Sequence, residues 1–252
     1  MKNNQHLSLS SGFSLPELMV SMVIGSLVLA GAYKLWLSHE TQRLSLERKI
    51  DLRNQMVLSS KQIQKAVTLA GIGLRGATNI AKSDATETDT LFVYSNVLAL
   101  SSAITSNASI GGTAILVANP SLFHVDGFIA LINSTGGEIK KISAISGNTI
   151  VVTSLGRNYL ITETNAYPAI QERYFTNQSG NELIKETDGT QFVLGKNIRN
   201  FQVSFRDKNG VSTEIISEVK SVYYSFTGVY PALEGALSSV VFSSTAIPRN
   251  SL

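Results

Sequence analysis

The sequence predicts an α+β protein: a long N-terminal helix, membrane-spanning in its first half and amphipathic in its second, packed on a mainly antiparallel β-rich head. Three observations carry this. The run Leu18 to Tyr33 holds no charge. Ser38 to Ala70 then contains neither proline nor glycine, in a chain with 19 glycines. From about residue 90 short Ile- and Val-rich runs alternate with Gly, Asn, Asp and Ser clusters. With 252 residues, there is room for one large head or two small ones behind the helix.

The segment Gly12-Phe13-Ser14-Leu15-Pro16-Glu17 comes first. A carboxylate at the mouth of an apolar helix needs a partner, because a charge in hydrocarbon costs about 2.5–3.5 kcal/mol even on lenient insertion scales. If the chain is cut after Gly12, the new amine of Phe13 lies one helical turn from Glu17. The two charges can then neutralise one another, within a subunit or between neighbours. Pro16 falls in the first turn, where its missing N–H removes a donor that has no intrahelical partner anyway.

A short polar leader ending in glycine, then Phe, with Glu at the fifth mature position ahead of an apolar run, resembles the class III leader of type IV pilins and of type II secretion pseudopilins. Pro16 stands where major pilins carry an aliphatic residue, which draws the resemblance toward minor pilins. It implies that residues 1–12 are a leader removed by a prepilin peptidase between Gly12 and Phe13. It also implies N-methylation of Phe13 and an intersubunit role for Glu17 in assembly.

Phe13 to Leu37 is about 25 residues, or about 37 Å of helix, enough to cross a bilayer with some tilt. Tyr33 and Trp36 suit an interfacial aromatic belt, and Lys34 can snorkel there. A secretory signal is the rival reading, with Ala30-Gly31-Ala32 as its small-x-small site and Tyr33 as the mature start. Charge does not decide orientation, since Lys2 on one side faces Lys34 and Arg43 on the other. The pilin resemblance implies a single pass from the inner membrane with the head outside or in the periplasm.

Past the apolar run the helix continues. Leu52, Met56, Ile63, Val67 and Ala70 recur on one face, with Arg43, Arg48, Lys49, Arg53, Lys61 and Lys65 interleaved among Glu40, Glu47 and Asp51 elsewhere. The charges read as a solvated face. A continuous helix over 13–70 has about 58 residues and about 87 Å, its second half packed on the head.

Gly71-Ile72-Gly73-Leu74-Arg75-Gly76 has the G-x-G-x-x-G spacing of a dinucleotide fingerprint. That mechanism needs a strand before and a helix after, and here the order is reversed. The glycines read as a helix C-cap and a turn into sheet.

Strands are expected at Leu91–Tyr94, Ala114–Ala118, Phe128–Ile132, Ile139–Ile145, Thr149–Thr153, Glu172–Thr176, Glu182–Glu186, Phe201–Phe205, Val219–Phe226 and Ser239–Ser243. Asn177 to Asn181 reads as a hairpin loop, and Asp207-Lys208-Asn209-Gly210 as a tight turn of the Asn-Gly type. The head thus covers 71–252, with residues 98–170 as an inserted β-module. Glu172-Arg173-Tyr174-Phe175 with its Ser-Gly-Asn loop, the run Gly195 to Val203, and the closing Ala246-Ile247-Pro248-Arg249-Asn250 resemble PilW-like minor pilins and J-type pseudopilins.

Composition narrows the chemistry. The chain has no cysteine, so no disulfide or thiol nucleophile, and its +3 formal charge is too weak to argue for nucleic acid. Of three histidines, His6 falls in the leader, His39 just past the apolar segment, and only His124 in the head. No G-x-S-x-G elbow supplies a nucleophile. Asp84, Glu87 and Asp89 invite a calcium reading but lack EF-loop spacing, so a solvated turn is expected. Tyr223, Tyr224, Phe226 and Tyr230 could form a stacking platform, yet strand alternation puts Tyr224 and Phe226 on the core side.

The expectation is a minor pilin that is not an enzyme and needs no cofactor or metal, helping to prime a type IV pilus. Its partners are the prepilin peptidase, other minor pilins, the major pilin, the assembly platform and the membrane. A pseudopilin at the tip of a type II secretion pseudopilus is the nearest alternative. A tip adhesin or DNA-uptake module built on the insertion is the further one.

Overall fold

The computed structural model describes residues 14–74, 77, 79–84, 88–177, 179–215, 218–231 and 236–249. The expectations placed on Gly12, Phe13, Arg75, Gly76, Glu87, Gln178 and Asn250 lie outside these residues. Helix α1 is one uninterrupted element, Leu15–Leu69, 55 residues long and about 82 Å at 1.5 Å per residue. The long-helix expectation is met.

Only the last third of α1 touches the head. Leu52, Met56, Ser59, Ser60, Ile63, Ala66 and Val67 are buried, and Ala70 continues the stripe. Each fully buried apolar side chain of this set contributes about 1.5–3 kcal/mol relative to exposure. The expected docking of the whole amphipathic half is corrected here: packing begins at Leu52, and Ser38–Asp51 projects with nearly all its residues exposed. Stepping back from Leu52 by helical spacing meets Arg48, Ser45 and Thr41, so the head-facing stripe turns polar. This projecting stretch holds itself through exposed Arg43 pairs to Glu40 (2.8 Å) and Glu47 (3.8 Å), each worth about 0.3–0.5 kcal/mol.

Among the described residues thirteen strands follow, every pairing antiparallel: β1 Ile80–Ser83, β2 Thr90–Ser95, β3 Ser102–Ala103, β4 Ala114–Leu116, β5 Phe128–Asn133, β6 Gly136–Ser146, β7 Thr149–Val152, β8 Asn165–Asn177, β9 Glu182–Thr187, β10 Thr190–Lys196, β11 Ile198–Arg206, β12 Ser221–Pro231 and β13 Leu237–Ala246. A ten-stranded sheet runs β1-β2-β8-β5-β6-β7-β4, with β3 and the β9–β10 hairpin branching from β8. The second sheet is β11-β12-β13.

The helix rests on the three-stranded sheet through a close approach. A Cβ at Gly228 of β12 would sit 2.8 Å from both Leu52 Cδ2 and Met56 Sδ. Polar staples fix the register. The Ser59 hydroxyl donates to Leu194 O (3.1 Å), the Lys196 N–H donates to Gln55 Oε1 (2.9 Å), and Gln64 Nε2 donates to Ser244 Oγ (2.8 Å). The Tyr224 hydroxyl donates to the Ser60 carbonyl (3.0 Å). Around these contacts lies the main core, in which Tyr224 and Phe226 stack at 6.4 Å and Phe226 stacks on Phe242 at 5.3 Å. The aromatics of β12 therefore form core, and Tyr223 on the other face sits 4.3 Å under the Arg206 guanidinium.

A second core is built wholly from residues between Ile104 and Ala166, including Ile129, Leu131, Ile142, Ile150 and Tyr159. Strand β8 joins the two. Its residues Asn165–Ala169 pair with β5, and Ile170–Tyr174 pair with β2. Tyr94 and Phe128 meet edge to face at 5.5 Å against a third, smaller cluster of Leu74, Ala130 and Ala169.

Gly71 and Gly73 adopt φ +72° and +69° just past the helix, and the Gly71 N–H donates to Tyr94 O (2.9 Å). They serve as a helix stop and turn into sheet, as their order in the chain demanded. The expected Asn-Gly turn needs revision. Gly210 has φ +78° but Asn209 is not left-handed, and the loop is closed by Asp207, whose Oδ1 accepts the N–H groups of Asn209 (2.8 Å) and Val211 (2.9 Å). Those bonds, that of Val211 first, hold the Asp207 carboxyl below its usual range. Three strands were not anticipated. The two-residue β3 is too short to leave a pattern in the sequence. Strand β1 lies in what reads as a polar lead-out, because Ile80 is its one large apolar residue. Strand β10 follows Asp188-Gly189, both at positive φ, a hairpin signal the reading passed over.

The acidic group Asp84, Glu87, Asp89 is not a solvated turn throughout. Asp84 is exposed and pairs with Lys82 at 2.9 Å, but Asp89 is buried, and its Oδ2 accepts the Val203 N–H at 2.6 Å. Asp89 thereby ties the lead-in to β2 onto β11. Asp89→Ala is expected to cost about 1–3 kcal/mol, the penalty of an orphaned buried N–H, read as a lowered denaturant midpoint at unchanged slope.

Burial raises the hydroxyl pKa of Tyr94, Tyr159, Tyr174 and Tyr224; at Tyr174 the Glu172 carboxylate, 2.8 Å from the phenol, adds to it. The fold thus favours the neutral phenol, while the unfolded chain ionises near pH 10. Stability from these groups is complete below about pH 10 and declines above it as the unfolded chain releases protons. A thermal midpoint that stays level to about pH 10 and then falls is the expected profile.

Candidate functional site at the helix N-terminus

Ser14 is the N-cap of α1 in extended conformation, Leu15 and Pro16 open the first turn, and Glu17 occupies its third position. The Glu17 carboxylate folds back and accepts the Ser14 N–H (3.3 Å) and the Ser14 hydroxyl (3.2 Å) through one oxygen. This is half of a capping box, and the helix dipole favours a carboxylate there. Ser14 is a residue the sequence reading did not single out, although Ser-x-x-Glu ahead of an apolar run is its signal. A carboxylate offers about four acceptor sites, so Glu17 keeps capacity for an external cation. Gly12 and Phe13, the other two residues of the expected site, lie outside the described residues.

Behind this cap, Leu18 to Leu37 is exposed on every side, with none of the most apolar stretch buried by the head. The hydroxyls within it are satisfied locally: Ser21 donates to Leu18 O (2.9 Å) and Ser26 to Val23 O (2.8 Å). Helical backbone and back-bonded serine hydroxyls keep these donors from hydrocarbon, and the Tyr33 hydroxyl and Trp36 N–H fall at the far end of the run. Tyr33 and Trp36 stack at 6.0 Å where the apolar run ends. By length and composition this helix can cross a membrane.

The remaining candidates for chemistry stay apart. His124 is exposed in a turn beside Gly127, and no group of three His, Asp or Glu among the described residues is placed to hold a metal ion.

Residues 7–33 match the family described as the prokaryotic N-terminal methylation motif. The chain therefore carries a prepilin-type leader ahead of a membrane-capable helix that packs on a β-rich head, together an α+β fold of pilin-like build. That motif implies processing by a prepilin peptidase and assembly with other pilins. No curated protein and no solved structure matches the chain.

Proposed function

We propose that this protein is a non-enzymatic minor pilin, PilW-like, that helps to prime a type IV pilus. The observation that carries the proposal is the methylation motif running into the start of a 55-residue helix whose apolar half the head leaves bare. A bare apolar helix suits two environments, lipid before assembly and a bundle of neighbouring helices after it. In this reading the peptidase cuts between Gly12 and Phe13 and the new amine is methylated. Glu17 then exchanges its contact with Ser14 for the Phe13 amine of a neighbour. The chain is held in the inner membrane with the head on the periplasmic or outer side, and the assembly platform lifts it into the fibre. Residues 98–170, with a core of their own, elaborate the head.

The same parts would serve a J-like pseudopilin at the tip of a type II secretion pseudopilus, which differs in the machinery that extracts it. Intact mass and N-terminal sequencing of the protein from its native membrane test the reading. A chain starting at methylated Phe13 supports it, whereas a start at Tyr33 overturns it in favour of a cleaved secretory signal. Co-purification with a major pilin or with secretion components separates pilus from pseudopilus.

A further inference from the structure

Sheet edges expose unpaired N–H and C=O groups, and proteins blunt them with brevity, charge, proline or bulges. Of six such edge strands among those described, five are blunted or closed off. β1 has four residues and carries Lys82, while β3 and β4 close on one another through the Ile104–Val117 bridge, with the Thr105 N–H donating to Leu116 O (2.8 Å) and the Ala118 N–H to Ala103 O (2.9 Å). β10 is bulged between Val193 and Gly195 and ends in Lys196, and β11 is bulged between Arg199 and Gln202 and carries Arg199 and Arg206. The sixth, β13, has none of these devices. Its ten residues, Leu-Ser-Ser-Val-Val-Phe-Ser-Ser-Thr-Ala, contain no charge, proline or glycine and keep unbroken register with β12. No described strand pairs with its outer side.

Which backbone groups face outward follows from alternation. The Val229 N–H donates to Asn197 O on the β11 side. Gly228, Phe226 and Tyr224 therefore point toward β13, and bond Val240, Phe242 and Ser244 opposite them. This leaves Ser239, Val241, Ser243 and Thr245 with N–H and C=O turned to the open edge. Val241 is 68% exposed, and Phe242, on the core side, is only partly covered.

We propose that β13 is a docking edge for an extended, uncharged segment of a neighbouring, non-identical subunit, which adds a fourth strand to the sheet. Calling the occupant a subunit rests on the assembly reading above. A second copy of this chain is disfavoured by direction. Gly228, opposite Val240, meets Leu52 and Met56, Ser244 meets Gln64, and the Arg249 N–H reaches Thr68 O (3.4 Å). Strand β13 thus runs with α1, so an antiparallel β13–β13 pair would turn the second anchor away from the shared membrane. The added strand requires apolar side chains at alternate positions to cover Val240 and Phe242, and no charge opposite a strand that has none.

The edge is tested with the full chain in detergent and one probe, a fluorescent peptide copying residues 237–246. That sequence is nearly palindromic about Val241, so a free peptide can lie antiparallel with Val240 opposite Phe242. Saturable binding is expected, weakened at least tenfold by Val241→Pro, which removes one outward N–H and spares the β12 ladder. Val241→Lys, which keeps the backbone and adds a blunting charge, should weaken it likewise, and Val241→Thr should not. Absence of wild-type binding, or equal binding by the proline and lysine variants with wild-type thermal midpoints, overturns the edge. The occupant is tested in native membranes. The chain lacks cysteine, so Ser243→Cys gives a single cross-linking site. A bond to a different subunit with a methylated N-terminus supports the assignment. A bond to a second copy, or to no such subunit, overturns it without touching the processing of Phe13.

Discussion

Glu17→Ala is expected to leave cleavage after Gly12 intact and to lower incorporation into the assembled fibre by about 60- to 300-fold. The estimate is the cost of one unanswered charge in hydrocarbon, about 2.5–3.5 kcal/mol, at 1.4 kcal/mol per tenfold. In the free subunit Glu17 is answered by the Ser14 N–H and hydroxyl, so its loss affects the helix start only modestly. In the proposed assembly the same carboxylate answers a neighbour's amine, and on that reading its removal is costly. Glu17→Gln separates the two roles, since it can still accept the Ser14 bonds but carries no charge. Quantifying each variant in sheared fibres against its processed membrane pool is the measurement. Fibres that incorporate Glu17→Gln and Glu17→Ala at the wild-type level would remove Glu17 from assembly.

Phe226→Ala should destabilise the head by about 3–5 kcal/mol, lowering its thermal midpoint by roughly 6–20 °C for a domain of this size. Phe226 is fully buried, stacked on Tyr224 and Phe242 and tilted against Phe201 at 6.5 Å. Truncation leaves a cavity beneath the helix-docking surface, where Leu52 and Met56 already press on Gly228. Phe226→Leu should cost less, because more of the volume is kept. Calorimetry of the detergent-solubilised chain reads the effect. Signal from the projecting part of α1 should persist through the transition, since Leu15–Asp51 makes no buried contact with the head. A midpoint within about 2 °C of wild type would mean that the core tolerates the void.

Much of the helix was legible because its causes are local. A charge-free run and a proline-free successor announce a continuous helix, and the spacing of Leu52, Met56, Ile63 and Val67 marks the face that docks. Most strands were legible from Ile and Val runs between turn residues. What escaped has a physical reason in each case. Strand β1 is short and polar because it is an edge, supported by β2 rather than by its own composition. Ser14 is inconspicuous beside Glu17, because a neutral hydroxyl ahead of an apolar run stands out less than the charge it holds. Asp89 reads as a loop acid, since nothing nearby in the chain foretells that Val203, 114 residues away, will bring it an N–H.

By itself the sequence determined the prepilin-type leader motif, the helix with its apolar half, and a β-rich remainder, all consequences of neighbours within a few turns. Tertiary structure alone decided that docking starts at Leu52, that β8 belongs to two cores, and that β13 is left at an edge. Those outcomes depend on which strand pairs with which. Pairing is a contest among distant segments of similar composition, settled by what each can bury.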